Sequence, residues 1–351
     1  YGLRQIPFFY CPPEHPEGIP CPGSEEFDGS AYYNAIRRGA VVTTSQINVH
    51  QYVNAMDPVL EAGHDILFVG MSSGISGAYH SATQAAHILS EQYPERRIRT
   101  VDTLSASLGE GLLVIEAAKM RDAGVGLDEV ADRLKSLRMR MGQIFTVDDQ
   151  FCLKRGGRLS GAAALLGTAL GIKPILCSNA QGQILSCAKV RGRQASIQAL
   201  ADRYDQLVEE PEQQCIGIAH CDCYPDVQTL ITLLNRNHPP REIMTVMYEP
   251  VTGAHVGPGA LALFFFGNPA ANDGAYAAII VPYCRKKGFP DTPAGGKTRG
   301  TRKRRRCSMT RTKLCDRILP DYTRGEEIFN MVSHICLLYT SDAADDLLCV
   351  D

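Results

Sequence analysis

The sequence predicts an α/β protein of two α/β domains: a mostly parallel N-terminal sheet with helices on both faces, a mixed-sheet C-terminal domain, and a ligand cleft between them. Three observations predict this. Between Ala31 and Met141, short apolar runs of strand length alternate with longer stretches of helical period, the pattern of a sheet covered on both faces by crossover helices. Beyond Gln143, two strand-like runs meet through Asn179-Ala180-Gln181-Gly182, which adds hairpin pairing to further strand–helix alternation and implies a mixed sheet. A chain of 351 residues, 44% hydrophobic and 21% charged, is long and apolar enough to close two cores.

In order, Ile6-Pro7-Phe8-Phe9 reads as a strand, and Cys11 to Gly23, with five prolines and two cysteines, as a loop without regular structure. Helices follow near Ala31 to Arg38 and Val49 to Ala62, then strand Ile66 to Gly70 and helix Ser76 to Leu89. Strand Ile98 to Asp102 and helices Gly109 to Ala123 and Leu127 to Met141 complete a first domain, 1–142. The second, 143–267, opens with strand Gln143 to Val147 and short helices around Lys154 and from Ala162 to Leu170. The hairpin Lys173 to Cys177 with Gln183 to Val190 comes next, then helix Gln194 to Val208, strand Cys215 to His220 and helix Asp226 to Asn235. Strands Ile243 to Tyr248 and Ala260 to Phe266 close it. From 268 to 351 glycine, basic residues and cysteine dominate without sustained period, and this tail is expected to lack a fold of its own.

Composition excludes several classes of function. A net charge of -2 argues against bulk attraction to nucleic acid, and the run Arg302-Lys303-Arg304-Arg305-Arg306 has no aromatic residue interleaved. No apolar run reaches the roughly 20 residues that span a bilayer, and the N-terminus lacks a basic-then-apolar leader, so a cytoplasmic location without membrane insertion is expected. Thirteen cysteines are scattered without a CxxC pair, which makes free buried thiols the expectation. His220-Cys221-Asp222-Cys223 follows a strand-like run, where neighbours point to opposite faces, so no metal is expected there. Gly295-Gly296-Lys297-Thr298 has Asp291 where a phosphate loop needs glycine. The chain shows no means of binding ATP or NAD, and no cofactor is expected.

The chemistry concentrates where strand Ile66 to Gly70 turns through Met71-Ser72-Ser73-Gly74-Ile75-Ser76-Gly77 into a helix. Backbone N–H groups at a helix start, its dipole and nearby hydroxyls suit a carboxylate or phosphate oxygen, although serines there also serve simply as caps. Thr44, with Thr43 and Ser45, likewise sits before a helix whose capping these residues would explain, since Ser45-Gln46-Ile47-Asn48 is a start signal.

Thr43-Thr44-Ser45-Gln46, Ser72-Ser73-Gly74-Ile75-Ser76-Gly77, Val101-Asp102-Thr103, Leu153-Lys154-Arg155-Gly156-Gly157-Arg158-Leu159-Ser160, Gly171-Ile172-Lys173-Pro174-Ile175, Lys189-Val190-Arg191-Gly192-Arg193 and Ala254-His255-Val256-Gly257-Pro258-Gly259 occur in that order. This set resembles the DegV family of bacterial fatty-acid-binding proteins over about Tyr1 to Gly267. The resemblance implies that the chain binds one long-chain fatty acid and, without being an enzyme, presents its carboxyl group to a separate fatty acid kinase. It further implies that Thr44, Ser76 and His255 contact the carboxylate, with Ser73 and Ser45 beside them, and that Arg191, with Arg158, belongs to a basic surface near the head group that docks the kinase. An imidazolium at His255 would pair with the carboxylate. The family opens with a strand ending in a Thr-Asp-Ser type turn, so a chain beginning at Tyr1 is expected to lack its first strand. Cys336-Leu337-Leu338-Tyr339-Thr340-Ser341-Asp342-Ala343-Ala344-Asp345 resembles a translated sequencing adaptor, and the tail is expected to be foreign to the family.

The rival reading is a serine hydrolase. Ser76, Asp102 and His255 follow the chain order of an α/β-hydrolase triad, and Gly74-Ile75-Ser76-Gly77 approaches a nucleophile elbow. Ala78 stands where the elbow requires its second glycine.

Overall fold

The computed structural model describes residues 2–23, 26–148, 150–159, 171–268 and 334–340. Strands β1 (Arg4–Pro7) and β2 (Phe9–Cys11) open the chain, followed by β3 (Ile19–Pro20), α1 (Gly29–Arg37) and β4 (Thr43–Ser45). The proline-rich loop is therefore not wholly irregular: Tyr10 pairs with Ile19 and Phe9 with Pro20, in a three-stranded sheet of order β3-β2-β4. Pro20 is tolerated because β3 lies on the edge, where a missing N–H costs no ladder bond.

Helix α2 (Val49–Glu61) starts at Asn48, not at Ser45, which lies in β4. Asn48 Oδ1 accepts from Gln51 N at 3.0 Å and Gln51 Oε1 accepts from Asn48 N at 2.9 Å, a reciprocal cap that frees Thr44 and Ser45 from helix duty. β5 (Asp65–Gly70), α3 (Ala78–Gln92), β6 (Ile98–Asp102), α4 (Leu108–Asp122) and α5 (Leu127–Leu137) follow. β5 and β6 are parallel. Every residue of β5 is buried; Ile66 and Phe68 join the core under α2 and α3, while Leu67 and Val69 join the one under α4 and α5. That division is the period-two alternation of a strand covered on both faces.

The second half comprises β7 (Met141–Thr146), α6 (Gln150–Gly156), the hairpin β8 (Ile172–Ser178) and β9 (Ile184–Arg191), and α7 (Arg193–Leu207). It continues through β10 (Cys215–His220), α8 (Tyr224–Asn237), β11 (Glu242–Met247), α9 (Pro250–Val256) and β12 (Leu261–Phe266). These strands form a mixed six-stranded sheet of order β11-β10-β12-β7-β8-β9, parallel only between β10 and β11. The helix expected from Ala162 to Leu170 lies outside the described residues.

Helix α4 joins the halves. Its residues from Leu108 to Ile115 are all buried, because it packs on strands of both large sheets, and a helix apolar all round needs such a double cover. One core consequently holds Leu67 and Val69 from the first half with Phe145, Ala262 and Phe264 from the second.

Part of the tail is ordered into the fold. Residues 334–340 form β13 (His334–Thr340), antiparallel between β1 and β5, with Ile6 opposite Ile335 and Phe68 opposite Leu337. β1 and β5 run in the same direction, one strand apart, and an extended segment between them satisfies both facing edges.

The cysteine expectation also needs amending. Cys177 and Cys187 form a disulfide across the β8–β9 hairpin, while Cys11, Cys215 and Cys223 are half-buried thiols and Cys221 is fully enclosed. The pairing arises from a register shift between Ile175 and Leu176, which leaves Cys187 as the extra residue on β9, on the face shared with Cys177.

Candidate functional site

A cleft opens between the two halves, lined by residues of both. Phe8, Met71, Ile75, Phe145, Ile184 and Val251 give it an apolar wall. Thr44, Ser45, Ser76, Thr252, Arg158 and His255 supply polar groups. The lining comes from β4 and the β5–α3 turn on one side, and from β7, β9, α9 and the segment after α6 on the other.

The β5–α3 turn is held from beneath. Ser72 N donates to Ser105 O at 2.8 Å, and Asp102 Oδ1 accepts from Ser73 N at 3.2 Å and Leu104 N at 3.0 Å. Leu104 and Ser107 both take positive φ, at 55° and 54°, in the loop that brings Ala106 to the cleft. Such left-handed geometry at non-glycine residues persists where neighbouring contacts over-determine it. Ser76 Oγ accepts from Ala78 N at 3.2 Å and keeps its own hydrogen to donate.

Thr44 and His255 meet directly, with Thr44 Oγ1 2.8 Å from His255 Nε2. His255 comes from α9, an element that the sequence reading missed. Its signal was present: Glu249 before Pro250 is an N-cap followed by proline at the first helical position. Glu249 accepts from Val251 N and from Thr252 N, while Tyr32 and Tyr33 donate to Pro250 O at 2.7 Å and Tyr248 O at 2.6 Å. Gly156 permits the approach of α6 to α9, since a Cβ there would lie 2.9 Å from His255 Nδ1.

Electrostatics correct one expectation. Burial, reinforced by the Arg158 and Arg155 guanidinium groups, pushes the His255 imidazole down to about 4, so the ring is neutral at pH 7 and is not an imidazolium. Its Nδ1 is buried with no hydrogen-bond partner among the described residues. Arg158 instead carries the positive charge at the mouth, its Nη1 donating to Gly156 O at 2.6 Å and its Nε to Ile75 O at 3.3 Å. Burial pushes the Glu249 carboxyl up to about 7, against the hydrogen bonds it accepts.

The cleft thus gathers Thr44, Ser45, Ser76, His255 and Arg158. Ser73 is outside its lining, with its backbone N–H given to Asp102. Arg191 is not near the head group as expected: it is exposed at the far end of β9 from Ile184 and outside the cleft lining, whereas Arg193 is tied to Asp226 and Asp148. The hydrolase triad does not assemble: His255 Nε2 faces Thr44, and Asp102 serves the turn backbone. Among the described residues, no group of three or more His, Cys, Asp or Glu side chains is arranged to hold a metal ion.

Comparison with known proteins places this geometry. A family model described as "Uncharacterised protein, DegV family" matches residues 23–268. A DegV domain-containing protein of Clostridium perfringens is 38% identical over 243 residues, which cover 69% of this chain and 84% of that protein. Among solved structures, a fatty-acid-binding DegV family protein from Thermus thermophilus superposes with a TM-score of 0.67 at 26% identity, covering 75% of this chain and 91% of that one. The Fatty Acid Kinase B3 protein of Streptococcus pneumoniae, solved with linoleic acid, superposes with a TM-score of 0.65, covers 75% of this chain and 90% of its own, and at 20% identity shares the fold.

Proposed function

Since this chain belongs to the DegV family, we propose that it is a lipid carrier which buries a long-chain fatty acid in the cleft between 1–142 and 143–267, taken as two domains. One observation carries the reading: an apolar-walled cleft joins the Thr44–His255 pair, Ser76 and Arg158. Burying about fourteen methylenes at roughly 0.8 kcal/mol each contributes at most about 11 kcal/mol, against about 1.5 to 3 kcal/mol for each hydrogen bond to a charged head. The acyl chain sets affinity. Thr44, Ser76 and His255 set where the carboxylate lies, with Ser45 beside them at the rim and Arg158 balancing its charge.

The protein acts as a presenter in the cytoplasm and leaves catalysis to a fatty acid kinase that docks on a surface bearing Arg158, at the cleft mouth, and Arg191. Two features support this: Arg191 is exposed, and no helix among the described residues is long and apolar enough to cross a membrane. Organic extraction of the purified chain followed by mass spectrometry should release a long-chain fatty acid in near-equal molar amount. A folded preparation that yields no lipid and takes up no added fatty acid overturns the carrier reading.

A further inference from the structure

Cys177 and Cys187 lie in the β8–β9 hairpin, which reaches from the second half of the chain onto the β5–α3 turn. Their Cα atoms are 6.2 Å apart on adjacent strands, and both side chains are partly accessible. The hairpin tip beyond them is a locked turn, in which Asn179 Oδ1 accepts from Gln181 N at 3.0 Å and Gln183 N at 2.9 Å. That tip is seated on the β5–α3 turn: Ser72 Oγ donates to Gly182 O at 2.8 Å and accepts from Gly74 N at 3.1 Å. Gly182 has φ +69°, and a Cβ there would run into Ser72 Oγ and the Leu104 backbone. Ile184, between the tip and the disulfide, lines the cleft. The bulge at Cys187 is the weak point of this ladder, since its extra residue has no strand partner.

We propose that Cys177 and Cys187 are a thiol–disulfide exchange site, and that their oxidation state sets how firmly the hairpin tip is seated on the Ser72–Ser76 turn over the lipid cleft. In a reducing compartment such a pair is exchanged instead of serving as a permanent staple. Its partner is a low-molecular-weight disulfide, RSSR. A thiolate of the pair attacks one sulfur of RSSR, breaking that S–S bond and releasing RS⁻. The second cysteine thiolate then attacks the mixed disulfide, forming the Cys177–Cys187 bond and releasing the other RS⁻. Two electrons pass from the cysteines to RSSR, and the two thiol protons end on the two RSH formed. Excess RSH reverses both steps. The bridged state fixes β8 against β9 at the bulge and so holds the tip. The dithiol state lets the bulge relax and the tip lift from Ser72.

The test uses the full chain, equilibrated with glutathione disulfide or with excess reduced glutathione. Peptide mapping should find the Cys177–Cys187 cross-link in the first sample and two additional alkylatable thiols in the second. Amide hydrogen exchange at Ser72 to Ser76 and at Asn179 to Gln183 should be about fivefold slower when oxidised, and release of bound fatty acid should slow by a similar factor. Cys177→Ser with Cys187→Ser should abolish both differences; Cys177→Ala with Cys187→Ala repeats the comparison if the serine pair does not fold. No cross-link, equal exchange in the two states, or a redox effect that survives in the double variants overturns the proposal. Only the release arm rests on the carrier reading: a chain that takes up no fatty acid in either state overturns that reading and the proposed effect on the cleft, while the exchange arm still decides the seating of the tip.

Discussion

Thr44→Val removes one hydroxyl from the head-group end of the cleft while keeping its shape, and its effect can be worked from two facts. Thr44 Oγ1 is the partner of His255 Nε2 at 2.8 Å, and His255 Nδ1 has none among the described residues. Without the hydroxyl, a neutral imidazole is left half-enclosed with neither nitrogen paired, at a cost of about 1 to 3 kcal/mol to the folded protein. Binding of the acid also loses a charge-assisted hydrogen bond, about 1.5 to 3 kcal/mol, which is roughly 10- to 100-fold in Kd. The apolar wall is untouched, so the methylene contribution stays. Displacement of a fluorescent fatty acid at neutral pH, run with a long-chain acid and with its methyl ester, separates the two contributions. The acid should weaken by that factor and the ester barely change. Equal weakening of both ligands, or a wild-type protein that does not distinguish them, refutes the placing of the carboxylate at Thr44.

Gly182→Ala should destabilise the chain by about 2 kcal/mol and speed lipid release, because the new Cβ meets Ser72 Oγ and the Leu104 backbone at a left-handed position; a urea midpoint equal to wild type refutes the tight seating. Glu249 has a carboxyl held near 7 against an ordinary value of 4.5, so between those values the folded chain keeps a proton that the unfolded chain has lost, and stability falls as pH rises through that window by about 3 kcal/mol. Glu249→Gln should remove this slope in urea titrations at stepped pH, leaving the opposite loss below about 6.5 that His220 and His255, both pushed down to about 4 by burial, impose as pH falls; a wild-type-minus-variant difference that is flat with pH refutes it. Arg191→Ala should leave lipid occupancy intact and impair acyl-phosphate formation by a cognate kinase, with Arg191→Lys rescuing poorly because the planar fork is lost. Loss of occupancy as well would make Arg191 a support of the fold.

Much of this arrangement is legible in the sequence, and the misses share a cause. β5 and β12 are apolar runs with both faces buried, so their composition alone identifies them. The sequence places the start of α2 at Val49, but Ser45 and Asn48 are both good N-cap types, and only the Gln51 partner three residues after Asn48 decides between them. The helix α9 is seven residues long, too short for a period to show. His255 reads as a cation in the sequence because the burial that keeps it neutral, reinforced by Arg158 and Arg155, arises only after α6 packs on α9. The disulfide depends on a one-residue register shift, which no composition reveals.

The place of β12 in its sheet bears on how the chain is made. With the order β11-β10-β12-β7-β8-β9, the last of the six strands to be synthesised occupies an interior position. Until residues 261–266 arrive, β7-β8-β9 and β10-β11 remain two unjoined fragments, each with an open, apolar edge. Closure of that gap pairs Leu261 with both Thr146 and His220, contacts of long sequence separation whose loop entropy is paid late. A stall before β12 emerges therefore leaves a nascent chain with these edges open, and with the facing edges of β1 and β5 still unfilled, for chaperones to cover.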